Sequence, residues 1–252
     1  MDKPEISLLG QNLSHANYIR QRTNPSVFDL DYLQLKDLYE LLQSYAPNFS
    51  GEVFDYGCGG APYRQLFSSC KSYVKADIAP GPMVDRLLGA DGLTTEPSES
   101  YDWVVSTQVL EHVKDPEAYL RECHRILHAS GQVIVTTHGM MQEHGCPYDY
   151  QRWTSRGLEE LLARTGFRVL DSWKLTTQIR AAIQLTHHGV PHLRAPGNFV
   201  MHCLLAAFRK SYLLVGVPVL NWFADRFDEQ AVIPGSHPVS LYTGVCARAE
   251  RI

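Results

Sequence analysis

Two glycines and an acidic residue follow neighbouring apolar runs in the first third of the chain. Gly57 and Gly59 come directly after the run at residues 53–56, and Asp77 ends the next run, 22 residues after Asp55. Glycine permits a sharp turn with a positive φ and a close approach of the backbone to a ligand. Asp77 has the spacing expected of a carboxylate that binds ribose hydroxyls. The pattern predicts a nucleoside site in which Asp55 orients the glycine turn.

Two other interpretations of this turn remain open. A dehydrogenase fingerprint requires Gly-x-Gly-x-x-Gly before a helix that faces a pyrophosphate. Here the glycines are Gly57, Gly59 and Gly60, and residue 62 is proline, which disfavours a nicotinamide or flavin site. A buried turn without any ligand is the simpler interpretation.

A second group of residues capable of chemistry lies further along the chain. His138 follows an apolar run at residues 132–137, and His144 and Asp149 come soon after it. An imidazole can take a proton from a hydroxyl near neutral pH. Asp149 can orient such a histidine, or it can pair with Arg152 and only fix the loop. His138, His144 and Asp149 are therefore the predicted catalytic residues. The predicted substrate-binding residues are Tyr148, Tyr150, Arg152 and Trp153.

A third segment, residues 102–113, reads Asp-Trp-Val-Val-Ser-Thr-Gln-Val-Leu-Glu-His-Val. Together with Asp-Tyr-Gly-Cys-Gly at residues 55–59 and with Asp77, it resembles the class I S-adenosylmethionine-dependent methyltransferases. The Leu-Glu-His-Val part and Pro116 are similar to the methyltransferase 11 branch of that class. The resemblance covers residues 50–175, and Ala61 departs from it where the family often has glycine.

The resemblance implies S-adenosylmethionine as the cofactor. It places Ala90 and Asp91 near the adenine, and Gln108 and Val109 near the methionine end. Tyr18 and Arg20 are candidates to close over the methionine carboxylate, with an ordinary surface role as the alternative. The predicted cofactor-binding residues are Asp55, Gly57, Gly59, Asp77, Ala90, Asp91, Gln108, Val109, Tyr18 and Arg20.

The resemblance also bears on two further features. The Glu111-His112 pair occurs in the family across many acceptors, so we expect it to have a structural or cofactor-positioning role. The Asp-Tyr-x-Arg-Trp-Thr run at residues 149–154, with a histidine upstream, is similar to a subgroup common among bacterial methyltransferases, many of them tied to glycan or secondary-metabolite pathways.

The elements that position these residues follow from hydrophobic periodicity and capping signals. Strands are predicted at residues 52–56, 73–77, 83–85, 102–106, 132–137 and 167–171. Helices are predicted at residues 26–46, from near Pro62, from Pro116 to near His128, and from Thr154 to Arg164. Alternating strands and helices predict an α/β fold. With the resemblance, this fold is a Rossmann-like, doubly wound, mostly parallel seven-stranded sheet with helices on both faces and a helical insert before the last strand.

We expect a single methyltransferase domain over residues 1–252. Its parts are an N-terminal helical cap at 1–48, a cofactor-binding core at 49–175, a helical insert at 176–237 and a final strand within 238–252. The insert contains an apolar run at residues 199–220 that Arg209 and Lys210 interrupt, so a transmembrane helix is not predicted. A helical insert packed on the sheet, a lid, a dimer interface and a peripheral membrane contact through residues 199–223 all remain open.

Composition limits the classes of function. The chain has 252 residues, a hydrophobic fraction of 44% and a formal net charge of −4, which suits a globular enzyme and disfavours nucleic acid as a partner. The six cysteines have no regular spacing, and the first residues lack a secretory signal pattern, so a cytoplasmic location is predicted. The 11 histidines are not accompanied by a tight cluster of acids, so no catalytic metal is predicted.

Three functions are compatible with these observations. The first is O-methylation of a small-molecule or sugar hydroxyl in a biosynthetic pathway, with a histidine as general base. The second is N- or C-methylation of a metabolite, which the same cofactor half would support. The third is a non-catalytic partner protein that only binds the cofactor.

Overall fold

A computed structural model describes residues 15–145, 148–195, 197–238 and 240–252. Eight strands form one sheet in the order β3-β2-β1-β4-β5-β8-β6-β7. The strands are β1 (Glu52–Tyr56), β2 (Ser72–Asp77), β3 (Arg86–Leu87), β4 (Tyr101–Thr107), β5 (Leu127–His138), β6 (Phe167–Thr177), β7 (Val232–Pro234) and β8 (Tyr242–Arg251). The α-helices are α1 (His15–Thr23), α2 (Tyr32–Tyr45), α3 (Pro116–Ile126), α4 (Ser155–Arg164), α5 (Gln178–Gly189), α6 (Phe199–Ser211) and α7 (Val217–Phe227).

Strands β1 to β5 pair in parallel, whereas β8 runs antiparallel between β5 and β6. The predicted doubly wound, mostly parallel α/β architecture is therefore confirmed. The predicted number of seven strands is wrong, because β7 adds an eighth strand antiparallel to β6, with Trp173 opposite Pro234. A three-residue apolar run is too short to be distinguished from a loop by its periodicity.

The two faces of the sheet carry separate hydrophobic clusters. Phe54 and Val104 pack on one face with α3 and α4, and Val53 and Val105 pack on the other face with α2. This alternation follows from the period of two in a strand. Both faces are covered, so the polar groups that remain accessible gather at the ends of the strands.

Strands β5 and β6 are longer than the predicted strands at 132–137 and 167–171, and three further predicted elements differ from the structure. The helix predicted at residues 26–46 begins only at Tyr32, because Asp29 accepts a hydrogen bond from the backbone of Ser26 and holds a turn there. The helix predicted from Pro62 is a single 3-10 turn, Arg64–Phe67. The third strand lies at Arg86–Leu87 instead of residues 83–85, because the Asp85 carboxylate bonds Lys75 before the strand begins. Residues 1–14 of the predicted cap lie outside the described residues.

The predicted insert begins with α5, which contacts α2 and α7. From Phe199 the chain forms one helix of 29 residues through α6, a π-helical turn at Tyr212–Gly216, and α7. The turn precedes Pro218, whose missing N–H disturbs the helical hydrogen-bond ladder. By length and composition alone this helix could cross a membrane, with a mean hydropathy of 1.6 over its most apolar 18 residues, 6% of them buried. The expectation that Arg209 and Lys210 rule out a transmembrane helix stays a prediction. Of the predicted insert, α5 packs against α2 and α7, whereas α6 contains no buried residue.

Candidate active site

The glycine turn, residues 57–60, directly follows the carboxyl end of β1. Gly57 has φ +85°, and a Cβ atom there would lie 2.5 Å from a methyl carbon of Val109. Its N–H bonds the Ala76 carbonyl of the neighbouring strand β2. Glycine is thus required at position 57 by backbone conformation and by the close approach of Val109. The structure brings Val109 and the glycine turn together, as the sequence predicts.

Asp77 lies at the end of β2, beside the glycine turn. Its Oδ2 accepts the Gly59 N–H at 2.9 Å, and its Oδ1 accepts the Ala79 N–H at 3.0 Å. These bonds fix the carboxylate while leaving each oxygen a further lone pair for an external donor. Its position suits the predicted contact with ribose hydroxyls.

Asp55 occupies a different environment, inside the sheet. Its side chain is buried and accepts a hydrogen bond from the Tyr73 hydroxyl at 2.5 Å. Burial raises the pKa of Asp55 to about 7, and the bond from Tyr73 only partly opposes this rise. The carboxyl therefore supports the strand beneath the turn, which fits the predicted orienting role.

The two predicted adenine contacts lie in an exposed turn after β3. Ala90 and Asp91 are both solvent-accessible, and Asp91 accepts the Leu93 N–H at 3.1 Å. Gln108, after β4, has φ +56°, and its amide nitrogen donates to the Thr136 hydroxyl at 3.3 Å. Its buried Oε1 has no hydrogen-bond partner among the described residues. An unsatisfied buried acceptor is a group that a ligand donor can complete.

Helix α1 brings Tyr18 to the glycine turn. A Cβ atom at Gly60 would lie 2.7 Å from the Tyr18 ring, and one at Gly59 would lie 3.2 Å from its hydroxyl. Arg20 instead forms a two-point ion pair with Asp29, at 2.9 and 3.0 Å. Arg22 covers the Tyr18 ring, 3.7 Å from its centroid. Of the two predicted residues, Tyr18 lies at the glycine turn, whereas Arg20 is paired with Asp29. Arg22, which the sequence does not single out, also lies near the turn because it covers Tyr18.

The acceptor side is a histidine cluster, defined as His112, His138 and His144 around Glu111. The His138 Nε2 lies 3.4 Å from the Glu111 Oε1, and the rings of His112 and His138 each lie 5.0 Å from the His144 ring. Glu111 is fully buried, and its Oε2 accepts a hydrogen bond from Thr137 at 2.7 Å. The ends of β4 and β5 meet here, which explains the convergence.

Burial determines the protonation of this cluster. It raises the pKa of Glu111 to about 7, because the charged carboxylate loses its hydration. Burial, together with smaller contributions from the nearby His144 and Arg152, lowers the pKa of His138 to about 3. Burial also lowers the pKa of His112, against the stabilising bond from its Nδ1 to the Tyr148 carbonyl at 2.7 Å. His138 is therefore neutral throughout the physiological pH range.

Asp149 and Arg152 hold the segment that follows β5. Asp149 accepts the His144 N–H at 2.8 Å, and its Oδ2 lies 3.4 Å from the His144 Nδ1. Arg152 binds both carboxylate oxygens of Asp149 and the carbonyls of Met141 and Gln142. Burial alone would raise the pKa of Asp149, but the bonds from Arg152 and His144 outweigh it and lower the pKa to about 2. The two roles left open for Asp149 in the sequence, orientation of a histidine and an ion pair, occur together.

The remaining predicted substrate-binding residues lie around this segment. Tyr148 and Tyr150 are exposed, and their ring centroids are 5.8 Å apart. Trp153 packs against the sheet core, and its indole N–H has no hydrogen-bond partner among the described residues. The two exposed rings can contact an acceptor, whereas the Trp153 N–H is buried.

Glu111 and Gln34 both lie against His138. The prediction of a structural or positioning role for Glu111 stays a prediction, and its carboxylate lies at the centre of the histidine cluster. Gln34 of α2, which the sequence does not single out, has its side-chain amide 3.4 Å from the His138 Nδ1. No sequence signal points to Gln34, because 104 residues separate it from His138.

The cluster also offers a possible set of metal ligands. One ligand atom from each of Glu111, His138 and His144 lies within 4.8 Å of the others. Two imidazoles and a carboxylate suit a divalent transition metal. The predicted absence of a catalytic metal stays a prediction. It depends on the lack of a tight cluster of acidic residues in the sequence, whereas this group combines one carboxylate with two imidazoles.

The described residues fit the cofactor that the resemblance implies. The glycine turn admits close backbone approach, the Asp77 carboxylate is accessible beside it, and Gln108 has an unpaired buried acceptor. All three are contributed by the carboxyl ends of β1, β2 and β4, where ligands bind in open α/β sheets.

Comparisons with known proteins agree with this geometry. A family model described as a methyltransferase domain matches residues 29–172. Ubiquinone biosynthesis O-methyltransferases of Pseudomonas syringae pv. tomato and Pseudomonas entomophila are 27% and 31% identical over 153 residues. Each match covers 54% of this chain and 63% of the relative, so it spans less than two thirds of these curated relatives.

A solved structure has a similar fold. It is described as an S-adenosylmethionine-dependent methyltransferase, possible histamine N-methyltransferase, from Thermotoga maritima, with a TM-score of 0.53 and 14% identity, covering 93% of this chain and 99% of that chain. This similarity concerns the fold alone. The family match extends over more than half of the chain and contains both the glycine turn and the histidine cluster. The protein therefore belongs to the methyltransferase domain family.

Proposed function

We propose that this methyltransferase methylates a hydroxyl oxygen of a small molecule or a sugar, and that His144 accepts the hydroxyl proton. The observation that carries the proposal is the environment of His144. Its side chain is partly accessible, with 21% exposed, and its Nδ1 faces the Asp149 carboxylate at 3.4 Å. This pairing directs the Nε2 away from Asp149, as a base that serves an external hydroxyl requires.

When bound, S-adenosylmethionine would supply a methyl group on a positively charged sulfur: the acceptor oxygen would bond to the methyl carbon as the carbon–sulfur bond breaks, and the sulfur would keep that electron pair and leave as S-adenosylhomocysteine. The residues of this chain must align the acceptor and remove its proton, and alignment alone is worth on the order of 7–11 kcal/mol in well-oriented systems. The acceptor O–H bond breaks as its proton passes to the Nε2 of His144. The oxygen keeps the electron pair that forms the new bond to carbon.

His138 is a poorer base than its central position suggests. Burial lowers its pKa to about 3, so it binds a proton only weakly at neutral pH. It lies between Gln34 and Glu111, whose side chains are 3.4 Å from its two ring nitrogens. We assign a positioning role to His138 and Glu111, since the His138 ring packs against the His144 ring at 5.0 Å. Of the two predicted catalytic histidines, His144 is then the base and His138 holds it in place.

Arg152 and the two exposed tyrosines complete the acceptor side. Arg152 binds Asp149 and two backbone carbonyls, so it holds the geometry of the base. Tyr148 and Tyr150 present accessible rings next to the histidine cluster, since the Tyr148 carbonyl binds His112. Flat, amphipathic side chains of this kind suit a phenolic or sugar ring.

The relatives support a hydroxyl acceptor, since the curated proteins that match the core are named O-methyltransferases. The test begins with calorimetric titration of S-adenosylmethionine, S-adenosylhomocysteine and, as a control, NAD. Phenols, catechols, sugars and amines are then screened as acceptors by the release of S-adenosylhomocysteine. We expect turnover with hydroxyl compounds. Turnover with amines alone would support N-methylation, and cofactor binding without any turnover would support a non-catalytic partner protein.

A further inference from the structure

The helix Phe199–Phe227 leaves an extensive apolar surface uncovered. Its first part, α6, contains no buried residue. Phe199, Leu204 and Leu214 are 82%, 58% and 62% exposed, although each is a large apolar side chain. An exposed apolar surface of this extent marks a site of interaction with another apolar phase or protein.

The distribution of these side chains around the helix axis indicates what covers them. Phe199, Val200 and Met201 are consecutive and all exposed, and they span about 200° of the helix circumference at 100° per residue. Leu213, Leu214 and Val215 repeat this arrangement further along. A second protein copy would cover one stripe, whereas a helix that is apolar around most of its circumference requires an apolar surround.

The charges of this region distinguish it from the rest of the chain. No Asp or Glu occurs between Asp171 and Asp225, while that stretch contains five Lys and Arg residues, in a chain with a net charge of −4. Lys174 and Arg180 are buried, so the cations that reach the surface are Arg194, Arg209 and Lys210. Two of the cations, Arg209 and Lys210, lie on the helix itself. Such a cationic region beside apolar side chains is complementary to anionic lipid headgroups.

The second half of the helix is fixed to the protein. Val217, Asn221 and Ala224 of α7 are buried, and Asn221 bonds His187 of α5 and two backbone carbonyls of the loop before α2. Only residues 199–216 are therefore free to enter an apolar phase, and Arg209 and Lys210 lie within that part. A helix that lies in the plane of a bilayer surface keeps both cations at the headgroups, whereas a helix that spans the bilayer would bury them.

We propose that the first part of this helix, residues 199–216, inserts in the plane of an anionic phospholipid bilayer, with its apolar side chains among the acyl chains and with Arg209 and Lys210 at the phosphates. This docking brings the histidine cluster close to the membrane. Helix α5 carries both His187, which bonds Tyr212 of the long helix at 2.7 Å, and His188, which lies 3.1 Å from Gln142 of the segment after β5. The proposal does not depend on the nature of the methyl acceptor.

The test is flotation of the full chain with vesicles of phosphatidylcholine alone and of phosphatidylcholine with phosphatidylglycerol. We expect binding to the mixed vesicles and at least tenfold weaker binding of the double variant Phe199→Gln/Leu214→Gln. The matched control is Leu87→Gln/Ile252→Gln, which removes two large apolar side chains that are 63% and 72% exposed elsewhere on the surface. This control should bind as the unchanged protein does. Arg209→Gln/Lys210→Gln should reduce binding to mixed vesicles more than to neutral ones.

Three results would overturn the proposal. The first is the absence of vesicle binding. The second is equal loss in the helix variant and its control, which would indicate non-specific adsorption. The third is a dimer in vesicle-free buffer, detected by light scattering, that the helix variant abolishes while no flotation occurs. A second copy of the chain would then cover the helix. Circular dichroism of each variant ensures that lost binding is not lost folding.

Discussion

The glycine turn and the histidine cluster lie at the same edge of the sheet but are built in opposite ways. The glycine turn uses local backbone, with a positive φ at Gly57 and an accessible carboxylate, Asp77, fixed by nearby amides. The histidine cluster uses side chains from separate segments around a buried carboxylate, Glu111. The first half can hold a ligand through shape and exposed acceptors. The second half can tune proton affinity, because burial shifts the pKa of its members.

The largest effect is expected when the proposed base in the histidine cluster is removed without a change to the glycine turn. His144→Gln should lower turnover about 10²- to 10⁴-fold, the usual contribution of a general base, and leave cofactor affinity unchanged. The control is His128→Gln at the opposite end of β5, which should alter neither. Rate and calorimetric measurements on both variants check this. Loss of cofactor affinity with His144→Gln would show that the two halves are not separable.

A smaller effect is expected from a methyl group in the glycine turn. Gly57→Ala combines an unfavourable φ, worth about 1–2 kcal/mol, with overpacking against Val109, worth about 1–3 kcal/mol. Gly92→Ala is matched in φ, +79°, but its Cβ would have no neighbour within 4 Å. Only the conformational part should remain there. Denaturant unfolding gives both free energies, and equal losses would contradict a steric role for Val109.

The buried carboxyl at the centre of the histidine cluster should make stability depend on pH. The folded pKa of Glu111, about 7, is above its ordinary value of 4.5. Between these values the unfolded chain loses the proton while the folded protein keeps it, so the contribution of Glu111 to stability falls as pH rises through this window. Glu111→Gln lacks this loss. Its stability relative to the unchanged protein should therefore improve by up to about 3 kcal/mol between pH 4.5 and pH 8.

Urea unfolding of both proteins at several pH values measures this difference. Glu160→Gln is the control. Glu160 is exposed at the surface of α4, so this substitution removes a carboxylate that lies outside the histidine cluster. A difference between Glu111→Gln and the unchanged protein that does not vary with pH would show that the pKa of Glu111 in the folded protein equals its ordinary value.

Asp77 tests the cofactor half. Asp77→Asn keeps the shape of the side chain but removes its charge, which should weaken S-adenosylhomocysteine binding about ten- to a hundredfold. Asp91→Asn, in the exposed turn after β3, should have a smaller effect. Calorimetry compares the two variants. Unchanged affinity in Asp77→Asn would refute the ribose assignment.

The smallest expected effect is that of a chelator. If His144 acts as a base, treatment with EDTA should leave turnover unchanged. A loss that Zn²⁺ or Mg²⁺ restores would instead identify Glu111, His138 and His144 as metal ligands, since their ligand atoms lie within 4.8 Å of one another. The measurement is the rate before and after dialysis, with added ions tested one at a time.

The strands, the glycine turn and Asp77 could be predicted from the sequence because each depends on neighbours in the chain. Apolar runs specify strands, and glycine specifies a conformation that other residues rarely adopt. Two features could not be predicted in this way. The helix predicted from Pro62 is only a 3-10 turn at Arg64–Phe67, and an eighth strand forms at Val232–Pro234. Both are short segments whose conformation depends on the sheet beside them.

The sequence by itself determined the class of fold, and it predicted the cofactor and the location of the acceptor side. Only the tertiary structure decided which histidine is accessible, because burial and pKa depend on what surrounds a side chain and not on its neighbours in sequence. It joined Gln34 to His138 across 104 residues and placed Glu111 among three imidazoles. It also left the helix Phe199–Phe227 uncovered, which an apolar run in a sequence cannot reveal, since the same run would suit a buried core helix.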